Sequence, residues 1–221
     1  GPIDKFIPDD MKDEIKTLAS LEVGDTIFFI ADNEQQASIF AGKIRTRLGE
    51  SLDLIEKNAY RFCYVNDFPM YEYDKEVKGY IFTHNPFSMP QGGLEALETK
   101  KPEDILAFQY DIVCNGCELS SGAVRNHSLD IMKKAFEIAG YGEDELKARF
   151  SALYTAFQYG APPHAGMAPG VDRMIMLLRN EDSIREVIAF PMNGNAQDLM
   201  CGAPGDVTEQ QLRETHIKIR Q

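Results

Sequence analysis

Asp111, Glu118 and Arg125 stand seven residues apart, on either side of the dipeptide Asn115-Gly116. Asn-Gly between two apolar runs is a strong hairpin signal. Residues at this spacing on facing strands can converge on one face of a sheet. Two carboxylates placed this way suit Mg²⁺, which takes one or two carboxylates together with phosphate oxygens. An arginine beside them suits forked capture of a carboxylate or phosphate. Ser120, Ser121 and Gly122 are small enough to let a ligand approach the backbone. An ordinary hairpin with exposed charges is the plain alternative, and the spacing leaves both open.

A second group is Gly170-Val171-Asp172-Arg173, followed by the apolar run Met174–Leu178. An arginine opening an apolar helix after a glycine-rich loop can meet an anion or stack on a purine. It can equally be an ion-pair partner, with Asp172 as cap. His84 lies in the loop His84-Asn85-Pro86-Phe87, and His164 among prolines and glycines. A lone histidine is more often a structural hydrogen-bonder than a ligand. His127 and His216 have no supporting context and read as structural or exposed. Cys114-Asn115-Gly116-Cys117 has zinc-knuckle spacing, but no second pair completes four ligands. The four cysteines read as reduced, buried thiols.

The elements that must position these groups fall into two regions. Residues 1–59 read as a small α/β unit: a helix from Asp9 or Asp10 to Ser20, a turn at Val23-Gly24-Asp25, and a strand over Thr26–Ile30. A second helix follows from Asn33 to about Leu48, with Ile39, Phe40, Ile44 and Leu48 on one face and Gly49 as its stop. Residues 60–221 open on a buried strand at Phe62–Val65. A hairpin spans Tyr71–Phe82. Pro86 and Pro90 bracket a loop, with Gly92-Gly93 after it. Strands follow at Asp104–Val113 and Glu118–Arg125. Helices are expected at Ser128–Ala139 and Glu143–Tyr159, with Ser128 as N-cap and Gly140 as a stop. Residues 160–170 read as loop or short interrupted strand, and Met174–Leu178 as a buried helix. Strands then carry the second core and helices cover it, which makes the class α+β with an antiparallel sheet.

The bulk numbers narrow the function. A net charge of −12 argues against a general nucleic-acid coat but permits a local basic patch. The 43% apolar content is that of an ordinary globular protein. No apolar run approaches the ~20 residues of a membrane span, and no segment resembles a signal peptide. Gly1-Pro2 reads as a protease-cleavage scar or as the point where a longer protein was cut.

In combination the segments are specific. Asp67-Phe68-Pro69-Met70-Tyr71-Glu72, His84-Asn85-Pro86-Phe87, Tyr110-Asp111-Ile112-Val113 and Asn115-Gly116 come first. Glu118–Arg125, Tyr159–His164, Gly170–Arg173 and Ile188-Ala189-Phe190-Pro191 follow. In this order they resemble the bacterial-type aspartyl-tRNA synthetases of class II, over nearly the whole chain, as the C-terminal part of such an enzyme. The resemblance implies a class II synthetase-like antiparallel sheet in residues 60–221, including motif 3. It implies that residues 1–59 are the later part of the insertion domain shared with an amidotransferase subunit.

It also implies roles. Gly170, Val171, Asp172 and Arg173 match motif 3, with Arg173 on ATP. Glu118 matches a residue that binds ATP with Mg²⁺, and Asp111 its metal partner. Arg125 matches the arginine that holds the side-chain carboxylate of L-aspartate, and His84 a histidine of that pocket. Arg173, Glu118 and Arg125 are thus the catalytic set. The expected partners are ATP, L-aspartate and tRNA(Asp), with tRNA(Asn) left open. A homodimeric cytoplasmic parent protein with no membrane association is expected. The family often has a second histidine where Asn85 stands. Motifs 1 and 2 and the anticodon-binding barrel are not found, so the chain alone is expected to be inactive. A non-catalytic, synthetase-like binding or regulatory paralogue is the alternative.

Overall fold

The computed structural model describes residues 3–220; the Gly1-Pro2 terminus lies outside them. Two compact units are present, Gly1–Ala59 and Tyr60–Gln221.

The first unit contains α1 (Asp9–Leu18) and α2 (Glu34–Ser51). Asn33 caps α2, its side chain accepting from the Gln36 amide at 3.0 Å, which satisfies one of the free donors at the helix start. Gly49 does not stop the helix. The left-handed residue is Asp53, at φ 51°, and the amide of Leu54 closes back on the Gly49 carbonyl. A glycine ends a helix only when it occupies that left-handed position. The run Thr26–Ile30 is not a strand: among the described residues it has no ladder partner. β-propensity makes a strand only when a neighbour accepts the backbone bonds. The apolar face of α2 is also uncovered, with Ile39 and Phe40 at 42% and 45% exposure.

The second unit is built on an antiparallel sheet in the order β1-β4-β5-β6. Its strands are β1 (Phe62–Pro69), β4 (Leu106–Cys114), β5 (Cys117–Val124) and β6 (Ala165–Pro169). A separate hairpin joins β2 (Tyr71–Asp74) to β3 (Gly79–Phe82). Five helices follow the strands in sequence or lie between them: α3 (Gly93–Thr99), α4 (Leu129–Ile138), α5 (Glu143–Arg149), α6 (Ser151–Gln158) and α7 (Val171–Arg179). A sixth, α8 (Glu209–Glu214), carries a capping box from Thr208 to Gln211. The class is α+β, an antiparallel sheet flanked by helices. The turn between β4 and β5 is Asn115-Gly116, both at positive φ (51° and 80°), as a two-residue hairpin loop requires.

Several expectations need correction. β1 is a strand but not buried: Phe62 and Tyr64 are 66% and 67% exposed, because it is an edge strand paired only to β4. The helix expected at Met174–Leu178 forms as part of α7, yet none of its residues is buried. Within the described residues it packs on β5 and one 3-10 turn. The helix expected over Glu143–Tyr159 breaks at Phe150, where φ −125° and ψ 37° leave the helical region. α3 was not anticipated, since it buries only Ala96 and Leu97 and shows no longer periodicity. Ser128 starts α4 without capping it; the Asn126 side chain accepts from the Ser128 amide instead. Of the four thiols only Cys114 is buried.

The core sits around α4. Ala135 joins Met70, Tyr71, Leu97, Ile105 and Ala107 on one side. Met132 and Phe136 join Leu146, Tyr154 and Phe157 on the other. Each large side chain fully buried here is worth about 1.5–3 kcal/mol. The Tyr71 hydroxyl donates to the Ala135 carbonyl at 2.9 Å, and burial pushes its phenol well above the ordinary range.

Glu143 ties the helices together at the surface. Tyr154 donates to its carboxylate at 2.5 Å, and Lys133 and Lys147 lie 3.1 and 3.0 Å away. These bonds hold the carboxyl down at about 2, the tyrosine contributing most. A depressed carboxylate stabilises the fold above its unfolded value, and that contribution disappears as pH falls toward about 2. Glu143→Gln should therefore weaken the loss of stability on acidification. A plot of thermal midpoint against pH, from 5 down to about 2.5, should be shallower in the variant.

Gly122 on β5 is required by close approach. A Cβ there would lie 2.4 Å from the Tyr110 ring and 2.5 Å from the Gly166 carbonyl oxygen. The Tyr110 hydroxyl passes over Gly122 to donate to that same oxygen at 2.9 Å. The space at Gly122 thus belongs to the protein's own tyrosine rather than to a ligand. Gly122→Ala should destabilise by about 1–3 kcal/mol, read as a lowered thermal midpoint.

Candidate active site

The register of β4 and β5 decides which side chains share a face. Asp111 lies opposite Ser121, and Val113 opposite Glu118. Directly opposed residues share a face, as do residues two apart on a strand. Asp111 and Glu118 therefore lie on one face, one pair apart, with Gln109, Ser121 and Ala123. Arg125 follows β5 in the same alternation. Leu119 is the extra residue of a bulge between these pairs.

Gly170–Arg173 is anchored on β5. Gly170 continues the β5–β6 register by one more pair. The Leu119 carbonyl accepts from the Gly170 amide at 2.7 Å. The Glu118 carbonyl accepts from Arg173 Nη1 at 2.7 Å, and the Glu118 carboxylate lies 3.3 Å from the same nitrogen. Gly170 is the N-cap of α7, with Val171 and Asp172 exposed in its first turn. Arg173 and Glu118 are each about half exposed, so the pair is open to solvent and exchangeable.

Arg125 marks the other end, roughly 20 Å away along seven residues of extended chain. The loop after β3 is pinned beside it. The Thr83 amide donates to the Met70 carbonyl, and its hydroxyl to the Pro69 carbonyl. His84 then packs edge-on against Phe68 at 4.9 Å. The Met89 amide donates to the Val124 carbonyl, the Asn126 amide to the Phe87 carbonyl, and the Arg125 amide to the His164 carbonyl. Arg125 Nη1 donates to Asn85 Oδ1 at 3.1 Å. A cavity of 570 Å³ opens here, lined by His84, Asn85, Gln109, Ser121, Arg125 and Met167 among others.

The structure thus brings His84, Arg125, Asn85 and Gln109 to one end of the face. It brings Glu118, Arg173 and Gly170 to the other. Asp111 lies between them, and among the described residues its side chain makes no hydrogen bond or ion pair. Among the described residues no set of three His, Cys, Asp or Glu groups could cage a metal.

The family model for tRNA synthetases class II (D, K and N) matches residues 8–194. The chain belongs to that family. It is 58% identical over 219 residues to an aspartate–tRNA(Asp/Asn) ligase of Zymomonas mobilis, covering 99% of this chain and 37% of that protein. It is 52% identical over 219 residues to the ligase of the same name from Ehrlichia chaffeensis, again covering 99% of the chain and 37% of the relative. The chain therefore spans little more than a third of the length of these relatives. Among solved structures it is similar to an aspartyl-tRNA synthetase from Entamoeba histolytica, at TM-score 0.47 and 22% identity, covering 85% of this chain and 32% of that one.

Two further residues, Gln109 and Asn85, line the cavity beside Arg125. Gln109 stands two positions before Asp111, and the period of two along a strand would have put it on the same face. Asn85 was visible only as a departure from a familiar pattern. Its contact with Arg125 spans 40 positions, and no local signal carries that.

Proposed function

We propose that the parent protein is an aspartate–tRNA ligase, which activates L-aspartate with ATP and transfers it to tRNA(Asp) in the cytoplasm as a homodimer. The observation that carries this reading is Arg125 lining a 570 Å³ cavity together with His84, in a chain 58% identical to a protein of that name. Arg125 would fork the side-chain carboxylate of aspartate, with His84 beside it. Arg173, held at the far end by Glu118, would meet the phosphates of ATP. The two ends lie about as far apart as aspartate and a nucleotide set end to end.

The reaction joins two anions, the α-carboxylate of aspartate and the α-phosphate of ATP. Little covalent help is needed; positioning and fixed positive charge do most of the work. Gly170, Val171 and Asp172 would set the approach of the nucleotide at the start of α7. The donor set suits Mg²⁺ carried in with ATP: two carboxylates, Asp111 and Glu118, from neighbouring strands on one face. That ion keeps waters and phosphate oxygens as its other ligands and needs no protein cage. When bound it neutralises phosphate charge.

The test is aspartate-dependent exchange of pyrophosphate into ATP by the full-length protein. Exchange with aspartate and not with asparagine or lysine supports the reading; exchange driven by either of the others overturns it. Charging of tRNA(Asn) transcripts beside tRNA(Asp) decides whether both are acceptors, as the names of the relatives suggest. The 221-residue chain alone should give no exchange, since it spans 37% of those relatives. Robust turnover by it would show that this segment holds a sufficient site.

A further inference from the structure

Asn85 makes more bonds to the carboxylate end of the site than any other residue there. Its Oδ1 accepts from the Phe87 amide at 2.9 Å and from Arg125 Nη1 at 3.1 Å. Its backbone carbonyl accepts from Gln109 Nε2 at 3.3 Å and from the Ser88 amide at 3.2 Å. Gln109 is itself buried, at 7% exposure. The residue is fixed through both its side chain and its main chain.

These bonds determine which way the amide points. A backbone N–H and a guanidinium are obligate donors. Two of them converge on one atom of Asn85, so that atom is the oxygen; a flipped amide would face its NH₂ against two donors. The Nδ2 group therefore points away from Arg125 and Phe87. Among the described residues it has no hydrogen-bond partner, and it is not one of the buried polar atoms left unsatisfied, which are Ser88 Oγ, Ser120 Oγ and Asn126 Nδ2. It is accessible, on a residue that lines the cavity.

Arg125 is held from one side only. Among the described residues no carboxylate lies within ion-pair distance of it, in contrast to Arg173 with Glu118. One nitrogen of its fork is anchored by a neutral oxygen, so its full charge is kept and its remaining N–H groups stay available.

We infer that Asn85 is a positioning and specificity-determining residue: Oδ1 aims the guanidinium of Arg125, and Nδ2 adds a second donor for the same substrate carboxylate. The inference rests on the proposed aspartate-activating function. The amide does two things that no charged group could do together. It anchors the arginine without neutralising it, and it presents a donor that does not titrate. A substrate carrying an amide in place of the carboxylate would set its own NH₂ against donors from both Arg125 and Asn85, which strengthens rejection.

The test uses the full-length protein and two variants, Asn85→Asp and Asn85→Ala, in pyrophosphate exchange. Asn85→Asp keeps an acceptor for Phe87 and Arg125, so it preserves the loop, but it removes Nδ2 and pairs a charge with Arg125. The KM for aspartate should rise about a hundredfold, and the preference for aspartate over asparagine should fall at least about tenfold. The KM for ATP and the thermal midpoint should stay close to wild type. Asn85→Ala, which leaves Arg125 charged but unanchored, should raise the KM for aspartate about tenfold. Wild-type KM and selectivity in both variants would overturn the inference while leaving the function standing. So would a parallel rise in both KM values with a lowered thermal midpoint, which marks a purely structural residue. If Asn85→Asp does not fold, Asn85→Ala decides by the same two readouts. A wild-type protein that does not activate aspartate overturns the functional reading, and this inference with it.

Discussion

Replacing Arg125 by leucine should lower kcat/KM for aspartate by about a thousandfold, with a much smaller effect on the KM for ATP. The size follows from what is left behind. The cavity beside Arg125 is lined by neutral groups and the exposed His84, and no other cation lines it. A carboxylate entering there sheds water and finds no opposite charge. Truncating one partner of such a pair costs about 2–5 kcal/mol, and about 4 kcal/mol, in the upper half of that range, is three powers of ten. Arg125→Lys should recover only part of the loss, because a point charge lacks the planar fork. Aspartate titrations of the exchange reaction measure both variants. A leucine variant within tenfold of wild type would remove Arg125 from substrate binding.

Arg173→Ala should lower the exchange rate by about 10²–10³-fold, the usual cost of losing a fixed group aimed at charge that develops in the reaction. Part of the effect should appear in the KM for ATP. Arg173 now spends one nitrogen on Glu118, bonding its carbonyl and touching its carboxylate. The remaining N–H groups have no partner among the described residues. The half-exposed pair with Glu118 contributes little to stability, so the thermal midpoint should change by a few degrees at most. Glu118→Gln separates two roles for the acid. If Glu118 only steadies Arg173, the amide keeps an acceptor and activity falls less than tenfold. If it also meets Mg²⁺ on ATP, loss of the charge should shift the Mg²⁺ requirement to higher concentration. Exchange measured across a Mg²⁺ series reads this directly.

The hairpin of β4 and β5 was plain from Asn115-Gly116 and the two runs beside it, since a two-residue turn at positive φ accepts few other pairs. So were α1, the β2–β3 hairpin and α4 with its stop at Gly140, which sits at φ 83°. Each depends on residues within a turn or two of one another. What failed depended on burial. Thr26–Ile30, β1 and α7 are apolar enough to be core, and all three are open among the described residues. An apolar pattern reports the capacity to be covered, and only a packed neighbour turns that into burial.

The candidate site divides along the same line. The types and order of Asp111, Glu118, Arg125 and Arg173 could be read directly, because each chemistry needs its own side chain. Pairing across the turn put Asp111 and Glu118 on one face, but seven residues along a strand is an odd step, and only the bulge at Leu119 brings Arg125 onto the face of Glu118. The chain order could not say that Gly170 extends the β5–β6 ladder to Leu119, or that Arg173 reaches back to the Glu118 carbonyl. Nor could it say that Asn85 reaches across 40 positions to anchor Arg125, or that Tyr110 fills the space over Gly122. Those are long-range contacts, made when separate segments pack, and their geometry exists only once the sheet has closed.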